Sequence, residues 1–223
     1  MGQRGCAKST LARSFREILP SVSKDQEATF VEVPLGTTED RLLGSIDASR
    51  LLADGEWLMQ TGLIEQANNG VLYIDEVNLL PDHLVDSILD SAASGQHRIE
   101  RDGLSKNVSA RYILIGSMNP EEGDLRPQLI DRFMHGVSVK DDFTVEERRE
   151  IVRLRMNFDD DPSSFMEEHQ VKLEELCEQI IQARKHYKNV KITEELRTEV
   201  AEKAVFLNLE GVRAELGIIR TSR

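Results

Sequence analysis

Residues Gly2 to Thr10 read GQRGCAKST, and no other stretch of the chain constrains its fold as strongly. The run matches G-x-x-x-x-G-K-[ST], with Ala7 where the last glycine is usual. In such a loop the backbone N–H groups, here from Gly2 through Gln3, Arg4, Gly5, Cys6 and Ala7 to Thr10, point at a β-phosphate. Lys8 supplies a point charge for the β- and γ-phosphates, and Ser9 offers a hydroxyl to Mg²⁺. The competing local reading is a glycine-containing turn before a helix. A phosphate loop normally hangs from a buried parallel strand, and here only Met1 stands before Gly2. The expectation is therefore a fragment, or a chain with a late start, in which that strand is missing.

From Lys8 the segment KSTLARSFREILP places Leu11, Phe15, Ile18 and Leu19 on one helical face and stops at Pro20. Three apolar runs follow: Ala28 to Leu35, Gly70 to Val77 and Arg111 to Gly116. Buried strands separated by helices predict an α/β fold, a parallel sheet with helices on both faces. Between the first two runs the chain shows helical patches broken by Gly44, Gly55 and Gly62. After the second, Pro81 opens a helix through Leu84, Ile88 and Leu89 that Gly95 ends. Asp102-Gly103 between two extended stretches predicts a β-hairpin. Beyond about Asp141 the strand signal vanishes. Thr144 with Glu147 is a capping-box start, Leu173, Leu176, Ile180 and Ala183 form a helical stripe, and Thr193 opens another helix. The predicted division is 1–140, carrying the sheet, and 141–223, all helical.

Charge and composition narrow the function. A formal net charge of −12 over 223 residues argues against general affinity for nucleic acid or an anionic membrane. No apolar run approaches the roughly 18 residues that span a bilayer. Cys6 and Cys177 lie far apart without metal-ligand spacing, so a reducing cytoplasm is the expected compartment. The five histidines show no paired spacing for a metal and read as surface or loop residues, and Asp159 to Asp161 as a solvated turn.

Five further positions are candidates for chemistry. VLYIDE, Val71 to Glu76, buries four residues and leaves Asp75 at the strand's C-terminal edge, where a Mg²⁺ shell would sit. Glu76 beside it has the chemistry to orient and polarise an attacking water. Alone, two acids at a strand end would read as a solvated loop; with a phosphate loop upstream the metal-site reading is preferred. Asn119 ends the third strand, where its side chain would contact a γ-phosphate or the lytic water, or simply turn the chain before Pro120. Arg126 and Arg132 in DLRPQLIDRF read locally as surface arginines.

In order and spacing, VPLGTTEDRLLGSID, GLIEQANNGVLYIDEVNLLPDHLVDSILDSAASG, IERDGLS, NPEEGDLRPQLIDRF and GVRAEL resemble the magnesium chelatase I subunit, a ring-forming AAA+ protein. The resemblance runs from Gly2 to Arg223. It implies a P-loop NTPase of AAA+ type, a three-layer αβα sheet domain followed by an all-helical lid, with ATP and Mg²⁺ as cofactors. It also implies Lys8 and Ser9 as Walker A, Asp75 and Glu76 as Walker B, Asn119 as sensor 1, Arg132 as the arginine finger and Arg213 as sensor 2. Residues about 36–69 would be the helix-2 insert and about 95–111 the pre-sensor-1 hairpin. Met118 departs from the small residue expected before the sensor asparagine, and Met134-His135 from a glycine after DRF.

By the same resemblance the chain would form a homo-oligomeric ring, a hexamer. It would act with a D-like AAA+ subunit and a catalytic H-like subunit, to insert Mg²⁺ into a tetrapyrrole. Related modules serve as MoxR-type chaperones. A DNA motor would use Arg98, Arg101 and Lys106 of the hairpin on phosphates, although Glu100 and Asp102 lie among them.

Overall fold

The structure, a computed structural model, describes residues 1–19, 28–46, 59–101, 104–139, 142–209 and 211–222. Helix α1 spans Lys8–Ile18 and strand β1 Phe30–Val33. Helix α2 (Glu39–Leu43), β2 (Gly44–Ile46), β3 (Met59–Thr61) and α3 (Leu63–Gln66) lead to β4, Val71–Ile74. Helix α4 (Asp82–Ser94) is followed by β5 (Gln96–Arg101), β6 (Leu104–Ser109), β7 (Ile113–Gly116) and α5 (Pro127–Arg132). Helices α6 (Val145–Asp160), α7 (Pro162–His186), α8 (Glu194–Phe206) and α9 (Arg213–Thr221) complete the described chain.

Strand β4 lies between β1 and β7, parallel to both, with Val71 opposite Phe30 on one side and Ile113 on the other. All four of its side chains are buried, and they alternate between two cores. Leu72 and Ile74 pack with Leu84, Val85, Ile88 and Leu89 of α4 and with Leu129 of α5. Val71 and Tyr73 pack on the other face with Ala12, Phe15 and Leu19 of the α1 segment. Each fully buried leucine or isoleucine here contributes about 1.5–3 kcal/mol of transfer free energy. Gly70 lets the chain enter β4, because a Cβ there would lie 2.0 Å from the Thr29 carbonyl oxygen.

Backbone bonds fix the phosphate loop to this sheet. The Gly2 N–H donates to Met118 O at 3.2 Å, the Val139 N–H donates to Met1 O at 2.7 Å, and the Met1 ammonium donates to Val137 O at 2.7 Å. The chain start thus lies between the end of β7 and residues 137–139. A side chain at Gly2 would meet Val139 O at 2.7 Å, so glycine is needed for this close approach.

Several expectations change. Leu11, assigned to the apolar face of α1, is 65% exposed, and Ala12 takes the buried position. The segment before β4 keeps helical patches as α2 and α3, but β2 and β3, not expected, form an antiparallel ribbon with Gly44 opposite Thr61. A Cβ at Gly62 would lie 2.4 Å from the Gly44 nitrogen, so these glycines allow close backbone contact rather than merely breaking helices. Gly55 and the Asp102-Gly103 turn lie outside the described residues. Pro81 is the residue before α4, with extended ψ, and not its first-turn residue. The Asp159–Asp161 run is no free turn: Asp159 and Asp160 end α6, while Asp161 accepts the Ser164 N–H at 3.0 Å and caps α7. His97 lies on β5, half-buried, with Nε2 lacking a hydrogen-bond partner, and burial lowers its pKa. The α7 stripe is shallow, with Leu176 42% exposed.

Candidate functional site

The parallel register sets the site. Ile74 lies opposite Gly116, so the next residues along each strand, Asp75 and Ser117, emerge side by side at the C-terminal edge. Ser117 donates its hydroxyl to Asp75 Oδ1 at 2.5 Å, and the Tyr73 hydroxyl donates to the same oxygen at 2.8 Å. Ser9, in the first turn of α1, reaches Oδ1 at 3.2 Å and Oδ2 at 3.3 Å. Burial acts to raise the Asp75 carboxyl, but the hydroxyls of Ser117, Tyr73 and Ser9, with the charge of Arg13, outweigh it and hold the pKa below its ordinary value. Asp75 is therefore a carboxylate at neutral pH. Burial also raises the Tyr73 phenol, which stays a donor.

The loop around Lys8 has the form that anions require. Gly5 adopts φ 81° and Ala7 φ 59°, both left-handed, which explains why glycine is usual where Ala7 stands. Helix α1 begins without a side-chain cap and without an acidic residue in its first turn, so its N-terminal N–H groups remain available to an anion. Lys8 Nζ is held by the loop's own carbonyl oxygens, Gly2 at 2.5 Å and Gln3 at 2.6 Å. The Cys6 thiol donates to Gln3 O at 2.9 Å and so serves the loop's shape. Gln3, Arg4, Gly5 and Thr10 are exposed around the half-buried Cys6, Lys8 and Ser9.

Glu76 follows Asp75 in a left-handed conformation, φ 53°, and its N–H donates to Ser117 Oγ at 3.3 Å. A non-glycine residue in this region stores about 1–3 kcal/mol of strain and is characteristic of functional positions. Asn119 is 2% exposed; its Oδ1 accepts the Glu121 N–H at 3.2 Å, while its buried Nδ2 makes no well-formed hydrogen bond among the described residues, although, after Arg4, it helps to hold the Glu122 carboxyl below its ordinary pKa. A buried amide donor left open is costly unless something accepts from it, and a phosphate oxygen or water would. The uncapped helix start, the Lys8 and Ser9 pair beside a charged Asp75, and the open Asn119 donor fit a nucleotide with Mg²⁺. Among the described residues no cluster of three or more His, Cys, Asp or Glu side chains suits a metal ion. One carboxylate with one hydroxyl matches a cation held mainly by phosphate and water.

The structure brings Lys8, Ser9 and Asp75 together at the strand ends, with Glu76 and Asn119 flanking them. It does not bring Arg132 to them. That side chain, at the end of α5, donates to Asp90 Oδ1 of α4 at 2.6 Å. Arg213 opens α9, whose Thr221 hydroxyl lies 3.3 Å from His135 Nε2. Arg126 donates to Leu80 O at 2.7 Å and pairs with Asp82, tying α5 to the segment after Glu76. Two residues of the site, Tyr73 and Ser117, have no assignment to it from sequence, and for Arg4, expected in the phosphate loop, the motif names no partner. Tyr73 was counted only as a buried strand residue, and Ser117 carried no motif. Arg4 spans from the loop to Glu122, donating through Nε at 2.9 Å, and this bond lowers the Glu122 carboxyl. Only the β4–β7 register places Ser117 beside Asp75. Two cavities, about 590 Å³ beside Gly70 and Gly95 and about 250 Å³ between α2 and β5, do not touch the phosphate loop.

Comparison with known proteins agrees with this geometry. Residues 1–133 match the AAA domain family, dynein-related subfamily. The magnesium-chelatase subunit ChlI of Mesostigma viride is 40% identical over 256 residues, covering 100% of this chain and 71% of the relative. An uncharacterized protein of Mycobacterium tuberculosis is 42% identical over 221 residues, covering 99% of this chain but 35% of its own length. The chain thus spans about a third of that relative. A chain from the complex between subunits BchI and BchD of magnesium chelatase, based on a single-particle cryo-EM reconstruction, is similar in fold. Its TM-score is 0.59 with 34% identity, over 99% of this chain and 85% of that one. Proteins of this kind use ATP and Mg²⁺. With the fold, the phosphate loop and similarity along the whole of this chain in agreement, the chain belongs to the AAA ATPase family of magnesium-chelatase I subunits.

Proposed function

We propose that this chain is the MgATP-hydrolysing motor subunit of a magnesium-chelatase-like complex, coupling hydrolysis to the remodelling of partner subunits for metal insertion into a tetrapyrrole. The observation that carries the reading is the meeting of Ser9 with a charged Asp75 beside the open Asn119 donor. Bound MgATP supplies the phosphoryl group and the cation that neutralises its charge. The loop from Gly2 to Thr10 binds the phosphates, Lys8 leaves its carbonyl partners for them, and Ser9 and Asp75 hold the cation. Glu76 orients the lytic water and Asn119 donates to it or to the γ-phosphate. Arg132 acts as the finger toward a neighbouring subunit and Arg213 as the lid's sensor.

The proposed division is a nucleotide-binding domain over 1–140 and a helical lid over 141–223. Proposed partners are further copies in a hexameric ring, a D-like AAA+ subunit and an H-like catalytic subunit, in a reducing cytoplasm and without nucleic acid or membrane. Among the described residues no helix is long and apolar enough to cross a membrane.

Nucleotide titration and phosphate release test this. Lys8→Ala should abolish binding, whereas Glu76→Gln should bind MgATP and not hydrolyse it. An Arg132→Ala chain should lose on the order of a thousandfold in hydrolysis and regain part of it when mixed with Lys8→Ala, because mixed rings contain interfaces with one intact half from each. Normal turnover by Glu76→Gln would remove that residue from the mechanism. Activity constant per chain on dilution, with no rescue on mixing, would sink the ring.

A further inference from the structure

We propose that Tyr73 and Ser117 are positioning residues for the Mg²⁺ site: they anchor Asp75 Oδ1 and so reserve Oδ2 for the cation's coordination shell. The inference rests on the Mg-nucleotide reading above and deepens it to the level of one oxygen atom.

Asp75 Oδ1 takes the 2.5 Å bond from Ser117 and the 2.8 Å bond from Tyr73. Among the described residues Oδ2 receives only the Ser9 hydroxyl, at 3.3 Å and shared with Oδ1 at 3.2 Å, and Ser9 is the group expected to turn to the cation. A carboxylate oxygen with two short donors has its lone pairs engaged. The cation is thereby directed to the other oxygen, and the carboxylate cannot rotate without breaking both bonds. Neither donor is free to move. Tyr73 is fully buried, with its ring centroid 5.8 Å from that of Phe30 and its hydroxyl 3.2 Å from Ser117 Oγ. Ser117 is 6% exposed and held in the ladder by its N–H to Ile74 O and by Val77 N–H to its own carbonyl, both at 2.9 Å. The Ser117 oxygen also accepts the Glu76 N–H, so one hydroxyl steadies the metal carboxylate and the backbone of the water-orienting glutamate. Such outer hydrogen bonds to a ligand set its orientation, and their removal typically lowers metal affinity by about 10–100-fold.

The test measures binding. A fluorescent ADP analogue is titrated against wild type, Tyr73→Phe, Ser117→Ala and Ser117→Thr, in Mg²⁺ and in EDTA, with Mn²⁺ binding followed by electron paramagnetic resonance. Tyr73→Phe and Ser117→Ala should each reduce the Mg²⁺-dependent tightening about tenfold and weaken Mn²⁺ equally, while the EDTA affinity stays at the wild-type value. Ser117→Thr, which keeps the hydroxyl, should retain most of the tightening. Because Tyr73→Phe removes one oxygen from a buried ring and Ser117→Ala one hydroxyl, two independent variants guard against a folding defect in either. Wild-type tightening and Mn²⁺ affinity in both deletion variants would overturn the inference and leave the function intact. Equal losses in EDTA and in Mg²⁺ would overturn it too, reducing the pair to packing. A wild-type protein that binds nucleotide no better with Mg²⁺ would instead strike the functional reading itself.

Discussion

Strand β4 buries all four of its side chains, whereas helices α6 and α7 bury none. The sheet half is held by side chains packed between α1 and α4, from elements far apart in sequence. Among the described residues the helical half buries little beyond Val200 and Ala204 of α8 and relies more on local devices. Thr144 and Glu147 form a reciprocal capping box at α6, Asp161 caps α7, and Thr193 caps α8. Ion pairs of the i, i+3 or i, i+4 type, such as Arg155 with Asp159 and Lys203 with Glu199, decorate the helices. Exposed pairs of this kind are worth only a few tenths of a kcal/mol. The two halves should therefore respond differently to the same chemical change, with rigid geometry at the strand ends and easier opening in the helices.

The sharpest comparison is one substitution made in both halves. Leu72→Ala, in the core beneath the site, should cost about 2–5 kcal/mol, because the void between β4 and α4 cannot close. Leu176→Ala, at 42% exposure on α7, should cost about 0.5 kcal/mol or less. Urea unfolding measures both, and similar costs would show that the helices are packed as firmly as the sheet.

A smaller effect belongs to the cap. Thr144→Ala removes the acceptor for the Glu147 N–H and one of the two donors to the Glu147 carboxylate, which lies below its ordinary pKa through bonds from the Thr144 backbone and hydroxyl. The expected loss is about 1 kcal/mol, seen in hydrogen exchange as faster opening of α6 while β4 amides keep their protection. Uniform loss of protection in both would merge the halves into one cooperative unit.

An effect of similar size lies within the sheet half and is read by pH. Burial raises the Tyr112 phenol to about 12 against the opposing effect of its Ser91 bond, and the hydroxyl donates to Ile88 O at 2.8 Å. A folded pKa above the unfolded value near 10 means that this contribution is complete below pH 10 and is lost as pH rises toward 12. At pH 11 the loss should be about 1 kcal/mol. Tyr112→Phe should flatten this part of the alkaline limb of the stability curve; an unchanged limb would mean that Tyr112 ionises equally in both states.

These contrasts also mark how legible the chain was. GQRGCAKST announced a phosphate loop entering a helix, because such loops are defined by adjacent backbone conformations; the structure adds that Gly5 and Ala7 adopt positive φ there. VLYIDE announced a buried strand ending in acids, and T-x-x-E the start of α6, since both are local stereochemistry. The ribbon of β2 and β3 was missed because three-residue strands carry too little periodicity to oppose a helical pattern. Leu11 was misassigned because a helical period identifies a stripe without saying what stands in front of it.

By itself, then, the sequence determined the class of fold, the family and the residue types offered to a nucleotide. Only the tertiary structure decided which groups meet Asp75. Ser117 lies 42 positions beyond it and becomes its neighbour through the β4–β7 register, and Tyr73 turns from core residue to hydrogen-bond donor because its hydroxyl reaches the strand's edge. Arg132 found Asp90, 42 positions away on another helix. Hydrogen bonds of this kind depend on where separate elements stop relative to one another, to within a few tenths of an ångström, and packing of the whole sheet half sets that distance.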